Sequence, residues 1–325
     1  MYKLLLTALF CASFAQSYGQ DILNKIKQNP DISWAQTTIL EFDTDIKCRR
    51  RYKQLSGDHY LNLVIKHQMP LQLEVSPEES EYHNFADKIA NKEFWSKAKN
   101  KCYLDPNLQQ LLTAEQIAKK NAVTDTLVTF DPEDFSEIVE PIHGTYKHYH
   151  ISHFKLFLCY AYNSKSQKLE VYPISLAPIV GRFSDEGKLI REKVTFWIPV
   201  QTTKKIDAQN ANLNWIQKQN LSWRFNATSG QKLVEEQSIA SLIYSQIKNL
   251  DKIAQTQNVY NTPPILGGKL ITTEEIKSFQ TKQMPNIKGI FFSYVLAWDA
   301  QQQKAIIQIE GCSPMTRGCL YFIAE

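Results

Sequence analysis

Beyond its N-terminal segment, the 325-residue chain has no apolar run approaching the roughly 18 residues of a membrane-spanning helix. It has no C-x-x-C pair of the zinc or redox type, no G-x-S-x-G nucleophile elbow and no glycine-rich phosphate loop. The formal net charge of +4 is too small to indicate binding to nucleic acid. These absences argue against the common hydrolases, nucleotide-binding enzymes and nucleic-acid-binding proteins.

The first 19 residues have the pattern of a secretory signal peptide. A lysine near the start precedes an apolar stretch, Leu4–Phe14, which is too short to span a bilayer as a helix. Ser17 and Gly19 are small residues at the −3 and −1 positions, so we expect cleavage after Gly19, with Ser13 and Ala15 as a second option. The sequence therefore predicts an exported protein with no catalytic cofactor.

Export changes the interpretation of the cysteines, because an oxidising compartment permits disulfides. Cys312 and Cys319 are separated by a loop that contains Pro314 and Gly318, and they are close enough to form a bridge. Cys159 lies inside the apolar run FKLFLCYAY, which is typical of a buried strand, so we expect a small core residue there.

The chain repeats a pattern near its middle and its end. YNSKSQKLEVYPISLAPI (Tyr162–Ile179) aligns without a gap on WDAQQQKAIIQIEGCSPM (Trp298–Met315), at a constant offset of 136 residues (162 to 298). Each copy has an apolar strand, a polar turn and a second strand. We therefore expect two β-hairpins, with turns at Asn163–Gln167 and Asp299–Gln303.

The segments before the two hairpins also correspond, because each contains a strand, a helix and the capping box of a further helix. The matched pairs are the strands Thr37–Phe42 and Lys193–Val200, the helices Tyr60–His67 and Ser238–Leu250, and the capping boxes Thr113/Gln116 and Thr272/Glu275. This pattern predicts an α+β fold with two related strand–helix–hairpin modules and antiparallel sheets, over residues 20–185 and 186–325.

Four of the seven histidines lie in HGTYKHYHISH, at His143, His148, His150 and His153. In a strand, His148 and His150 would share one face, a spacing that zinc sites use. The second copy, at residues 282–289, has no histidine, and a solvated polar strand entry would explain the same residues. Both interpretations stay open at this point.

Several motifs together resemble the gliding-motility protein N family, the N subunit of the type IX secretion system of Bacteroidetes. Thr124–Ile138, which contains TFDPE, followed by the first hairpin resembles the middle of that family. Val194–Val200 resembles its late FWI-Y-P strand, and SIASLIYSQIKN followed by NVYN resembles its final helix and tail. The resemblance covers Ile39–Asn261, although Tyr162 and Asn163 replace the family's usual Trp and Asp.

The resemblance implies a non-catalytic structural subunit in the periplasm, peripheral to the outer membrane. It implies two protein partners: an outer-membrane lipoprotein (the K-type subunit), with which the chain would form a ring, and the periplasmic arm of the inner-membrane motor (the M-type subunit). The alternative is a stand-alone periplasmic or surface binding module that encloses a ligand or metal between its two modules.

Cleavage after Gly19 is the first testable prediction, because small residues follow the apolar stretch at the required spacing. N-terminal sequencing of the exported protein should begin at Gln20. A protein that begins at Met1 would contradict the prediction. A lipid on Cys11 would also contradict it. We expect none, because Phe10 stands where lipid-modified signals need a small residue.

Overall fold

A computed structural model describes residues 18–42, 101–130, 136–145, 151–183, 189–207, 213–224, 230–261, 264, 267–281, 286–299, 301–302, 304–315 and 321–324. Their helices are Tyr18–Gln28 (α1), Ala114–Asn121 (α2), Ile239–Lys248 (α3), Leu250–Thr256 (α4) and Thr273–Thr281 (α5). Over these ranges no helix is long and apolar enough to cross a membrane. The predicted α+β class is confirmed.

Thirteen strands are present in the described residues. They are Ile32–Phe42 (β1), Ala122–Phe130 (β2), Glu137–Thr145 (β3), Ile151–Asn163 (β4), Lys168–Phe183 (β5), Leu189–Val194 (β6), Ile198–Thr202 (β7), Leu213–Arg224 (β8), Lys232–Glu235 (β9), Val259–Tyr260 (β10), Gly289–Asp299 (β11), Lys304–Met315 (β12) and Phe322–Ala324 (β13). Strands β2 and β3 form a separate two-stranded ribbon.

The other eleven strands form one sheet, in the order β10-β13-β12-β7-β5-β4-β1-β9. Strand β11 lies beside β12, β8 beside β11, and β6 beside β5. The ladders are antiparallel except that β7 pairs in parallel with β12, where Val200, Gln201 and Thr202 stand opposite Ala305, Ile306 and Ile307. A single sheet therefore contains both predicted hairpins.

The main core lies inside a curl of this sheet. Alternate residues of β4 point into it, as the strand period of two requires, and so do alternate residues of β11. The inward residues of these two strands are Phe154, Leu156, Leu158, Tyr160, Tyr162, Ile290, Phe292, Tyr294, Leu296 and Trp298. Tyr160 stacks on Trp223 of β8, with ring centroids 4.9 Å apart. Strands distant in the sheet order therefore meet face to face.

Two smaller cores cover the outside of the sheet. Leu23 and Ile26 of α1 pack against the opposite face of β4, where Phe157 and Cys159 point. Helices α3, α4 and α5 form a separate cluster with Tyr321 and β13. The buried position predicted for Cys159 is confirmed.

Both hairpins form at the predicted turns, and they close in the same register. Asn163 pairs with Lys168, and Asp299 pairs with Lys304, which are the same two positions shifted by 136 residues. The Asn163 side chain accepts a hydrogen bond from Ser166 N (3.1 Å). The Asp299 side chain accepts one from Gln302 N (2.8 Å), three residues on as in the first turn. Asn and Asp favour such turns because their short side chains cap nearby backbone N–H groups.

The two hairpins also carry a β-bulge at the same place. In each, the second strand has one extra residue, Ile174 or Glu310, which again differ by 136. The flanking pairs are Phe157–Ser175 and Leu158–Pro173 in the first hairpin, and Ser293–Gly311 and Tyr294–Ile309 in the second. A bulge bends and twists a hairpin, so the two hairpins bend at corresponding positions.

The strands that flank the hairpins match as well. Strand β1 pairs with β4, and β8 pairs with β11; the matched pairs are Trp34–Tyr162 and Trp215–Trp298. On the other side, β7 pairs with β5 and β13 with β12, through Ile198–Leu176 and Ile323–Cys312. The predicted match between Thr37–Phe42 and Lys193–Val200 is therefore wrong, because β8 holds the place of β1. Apolar strand patterns look alike, and only the pairing distinguishes them.

The local helix signals are largely as predicted. Thr113/Gln116 and Thr272/Glu275 both form reciprocal capping boxes. The helix predicted over Ser238–Leu250 begins after its N-cap Ser238, but it ends at Lys248, and α4 begins at Leu250. The helix predicted at Tyr60–His67 lies outside the described residues.

Only the last two residues of the predicted signal peptide, Tyr18 and Gly19, fall within the described chain, where they open α1. A Cβ on Gly19 would lie 2.7 Å from the Asn107 carbonyl oxygen. Close packing against Asn107 therefore also explains the small residue at this position, besides the predicted cleavage. Cleavage after Gly19 would leave Gln20–Gln28 of the helix.

The two capping boxes should respond differently to acid. The Thr272 N–H donates to the Glu275 carboxylate (2.8 Å), and this bond is the main cause of a lowered pKa of Glu275. When the pKa of a carboxyl is lower in the folded state than in the unfolded state, that carboxyl stabilises the fold at pH values above its unfolded-state pKa. The stabilisation is lost as the pH falls through the folded-state pKa. Glu275→Gln should keep the cap, as Gln116 does, and weaken the acid dependence of the unfolding free energy.

Urea unfolding of both proteins from pH 7 to pH 3 measures this dependence. The matched control is Gln116→Glu, which should add acid dependence at α2. Parallel pH curves for the original chain and Glu275→Gln would contradict the prediction.

Candidate functional site

Part of the predicted histidine site lies within the described chain. His143 is in β3 and His153 is in β4, while His148 and His150 lie outside the described residues. Cys319 also lies outside them. The zinc site and the Cys312–Cys319 disulfide therefore stay predictions.

His153 stands at the centre of a partly buried charge cluster. It is 3% exposed, and its Nδ1 lies 3.4 Å from Glu192 Oε1 of β6. Its Nε2 lies 3.7 Å from Glu41 Oε2 of β1, and Glu41 also pairs with Lys155 Nζ at 2.9 Å. The cluster joins three strands of the sheet, because His153 of β4 reaches Glu41 of the adjacent β1 and Glu192 of β6, which lies beyond β5.

The chemistry of this cluster is that of an ion-pair network. An imidazole between two carboxylates pairs with both when it is protonated, and burial strengthens that pairing while making the charges costly to desolvate. Within the described ranges, no three His, Cys, Asp or Glu side chains are grouped so that they could hold a metal ion.

A buried hydrogen-bonded chain links the two halves of the molecule. Tyr321 Oη donates to Gln246 Oε1 of α3 (2.6 Å), and Gln246 Nε2 donates to the Gln167 carbonyl oxygen (2.7 Å). Gln167 is in the turn of the first hairpin, with a positive φ of 54°. Burial raises the pKa of Tyr321 well above its usual range, so its hydroxyl remains a donor. The turn of one hairpin is thereby fixed to a helix of the second half.

The described thiols are buried. Burial raises the pKa of Cys102 and of Cys159 to about 12, so neither is a thiolate at neutral pH. Cys312 Sγ donates to the Leu169 carbonyl oxygen at 3.0 Å, another contact between the second hairpin and the first. All three thiols lie in the core.

Sequence reasoning singled out His153 but missed its two carboxylate partners and both side chains of the Gln246–Tyr321 pair. Glu41 and Glu192 meet His153 from separate strands, and Gln246 and Tyr321 are 75 residues apart. No local pattern marks such residues, because their neighbours come from distant parts of the chain. The one available signal was a polar residue, Gln246, on the apolar face of a helix.

Neither a family model nor a curated protein matches the chain.

The Tyr321–Gln246 pair gives a test of how the halves are joined. Tyr321→Phe leaves Gln246 Oε1 buried without its donor, so we expect a loss of about 1–3 kcal/mol in the free energy of unfolding. In a Gln246→Leu background the same change should cost clearly less, because the orphaned acceptor is gone. Urea unfolding of the four proteins measures the coupling.

The control is Tyr244→Phe, a half-buried tyrosine on the same helix, which should change the free energy by less than about 0.5 kcal/mol. An equal cost of Tyr321→Phe in both backgrounds would mean that the two side chains are not coupled.

Proposed function

We propose that this chain is a non-catalytic structural subunit of a type IX secretion or gliding-motility machine. It would act in the periplasm with a K-type outer-membrane lipoprotein and an M-type motor arm, as part of an oligomeric ring. The motifs that resemble the gliding-motility protein N family carry the proposal. Where the structure describes these motifs, they fall on defined elements: Thr124–Phe130 lies in β2, the next motif on the first hairpin, and Ile198 of FWI opens β7.

The second part of the proposal is that the chain consists of two copies of one module. Four features support it: matching hairpin registers, bulges at the same offset, equivalent flanking strands and a capping box in each half. The repeats would then run from β1 to β7 and from β8 to β13. The module boundary would lie after Thr202 rather than near residue 186.

A small segment that precedes each capped helix strengthens the case for two copies. Tyr103 forms an antiparallel bridge with Leu111, and Tyr260 forms one with Leu270. The Leu112 N–H donates to the Cys102 carbonyl oxygen, and the Ile271 N–H donates to the Val259 carbonyl oxygen, at 2.8 and 2.9 Å. Hairpins are common, so chance alone explains some similarity between two of them. It does not readily explain the same contacts in an irregular segment.

Contacts between the proposed copies support a structural role. The copies share the β7–β12 ladder, the Cys312–Leu169 hydrogen bond and the Gln246–Gln167 hydrogen bond. A sheet continuous across both copies resists separation, because backbone hydrogen bonds and core side chains would be exposed together. This arrangement suits a subunit that carries mechanical load.

One observation favours the alternative, a binding module. The hydroxyl of Tyr160 and that of Thr38 are buried, and neither has a hydrogen-bond partner among the described residues. Tyr160 faces Phe292 of the second hairpin, with ring centroids 5.9 Å apart. A small polar ligand or a bound water between the copies would satisfy such hydroxyls.

Fractionation of the native cell distinguishes the two functions. If the chain is a machine subunit, a tagged copy should sediment with the outer membrane and co-purify with K- and M-type subunits after mild solubilisation. A soluble periplasmic protein and an outer-membrane lipoprotein calibrate the fractions. Recovery of the chain solely as a soluble monomer, with neither partner, would overturn the proposal and favour the binding module.

A further inference from the structure

The predicted cleavage after Gly19 would make a glutamine, Gln20, the first residue of the exported chain. Inside a chain, the backbone nitrogen of a glutamine is an unreactive amide. At the amino terminus it is an amine, and it lies within reach of the side-chain amide of the same residue. Cleavage at this position would therefore bring a nucleophile and an amide carbon together in one residue.

The structure places Gln20 in the first turn of a docked helix. Leu23 and Ile26 bury one side of α1 against the outer face of the sheet. Gly19 is buried as well, with the Asn107 carbonyl oxygen 2.7 Å from where its Cβ would stand. Cleavage would therefore create the new terminus beside a closely packed contact, at the start of the helix Gln20–Gln28.

A charged terminus is poorly suited to that place. A free α-amine is mostly protonated at neutral pH. The first turn of a helix already carries a partial positive charge from its unpaired N–H groups, so a cation there is unfavourable. Partial removal from water adds to the cost of the charge. An uncharged terminus would fit the start of α1 better.

We propose that Gln20 is converted to pyroglutamate after cleavage. The neutral α-amine nitrogen attacks Cδ of its own side chain, and a C–N bond forms that closes a five-membered lactam. The Cδ–Nε2 bond breaks, and Nε2 leaves as ammonia with the proton that the amine gives up. The step consumes no oxidant, reductant or second reactant. It rests on the export that the proposed function requires, and not on the partners.

Helix α1 tolerates the lactam. The ring resembles that of proline, which is favoured at the first helical position because the helix needs no N–H there. Ring closure takes the Gln20 side chain away from two hydrogen bonds, one from Gln109 Nε2 (2.7 Å) and one to Asn24 Oδ1 (3.0 Å). Both join amide side chains at or near the surface, and each contributes little to stability.

Mass spectrometry of the full chain, exported by the native cell and purified, tests the proposal. Amines are labelled on the intact protein before digestion with a glutamate-specific protease, so that only a lactam formed earlier escapes the label. The fragment Gln20–Glu41 should be unlabelled at its terminus and lighter by one ammonia. The fragment that begins at Gln116, after Glu115, measures any cyclisation during digestion.

The matched control is Gln20→Ala, because alanine suits a helix and cannot cyclise. Its first residue should carry the label. A labelled Gln20 with an intact side-chain amide would overturn the proposal and leave the cleavage prediction standing. A terminus at any other residue would overturn both. Neither result changes the outcome of the fractionation that tests the proposed function.

Discussion

The pairing of β7 with both hairpins is the constraint on which the rest of the structure depends. This five-residue strand runs antiparallel to β5 at Ile198 and Pro199, and parallel to β12 from Val200 to Thr202. Without it, the segments of β5 and β12 that pair with β7 would be open, and the sheet would divide in two. With it, the inward faces of the two hairpins lie in one curved sheet.

The curvature explains the composition of the interior. Large aromatic residues fill the space that the curled sheet encloses, and Trp34, Trp223 and Trp298 are all at most 2% exposed. Offset or tilted aromatic pairs contribute about 0.5–1.5 kcal/mol each beyond the burial of their area. The bulges at Ile174 and Glu310 lie in two strands that border this interior, and bulges of this kind bend the strands that carry them.

Polar groups in this fold connect elements that the apolar core alone would not hold in register. The contacts of His153 with Glu41 and Glu192 connect β4 to β1 and β6. The hydrogen bond of Gln246 connects α3 to the first hairpin turn. Hydrophobic contacts tolerate sliding, whereas a hydrogen bond is lost within a fraction of an ångström. Fixed registers of this kind would suit the proposed role, because a subunit of an assembly must present the same surface in each copy.

The sequence by itself determined the local elements of this protein. Alternating apolar residues defined both hairpins, Asn163 and Asp299 marked their turns, and Thr–Gln or Thr–Glu spacings marked the two capped helices, because these signals act within a few residues. Only the tertiary structure decided that β8 takes the place of β1, that β7 joins the halves, and which residues surround His153 and Gln246. Strand pairing and buried polar contacts depend on residues far apart in the chain, and local patterns do not encode which distant strand lies alongside.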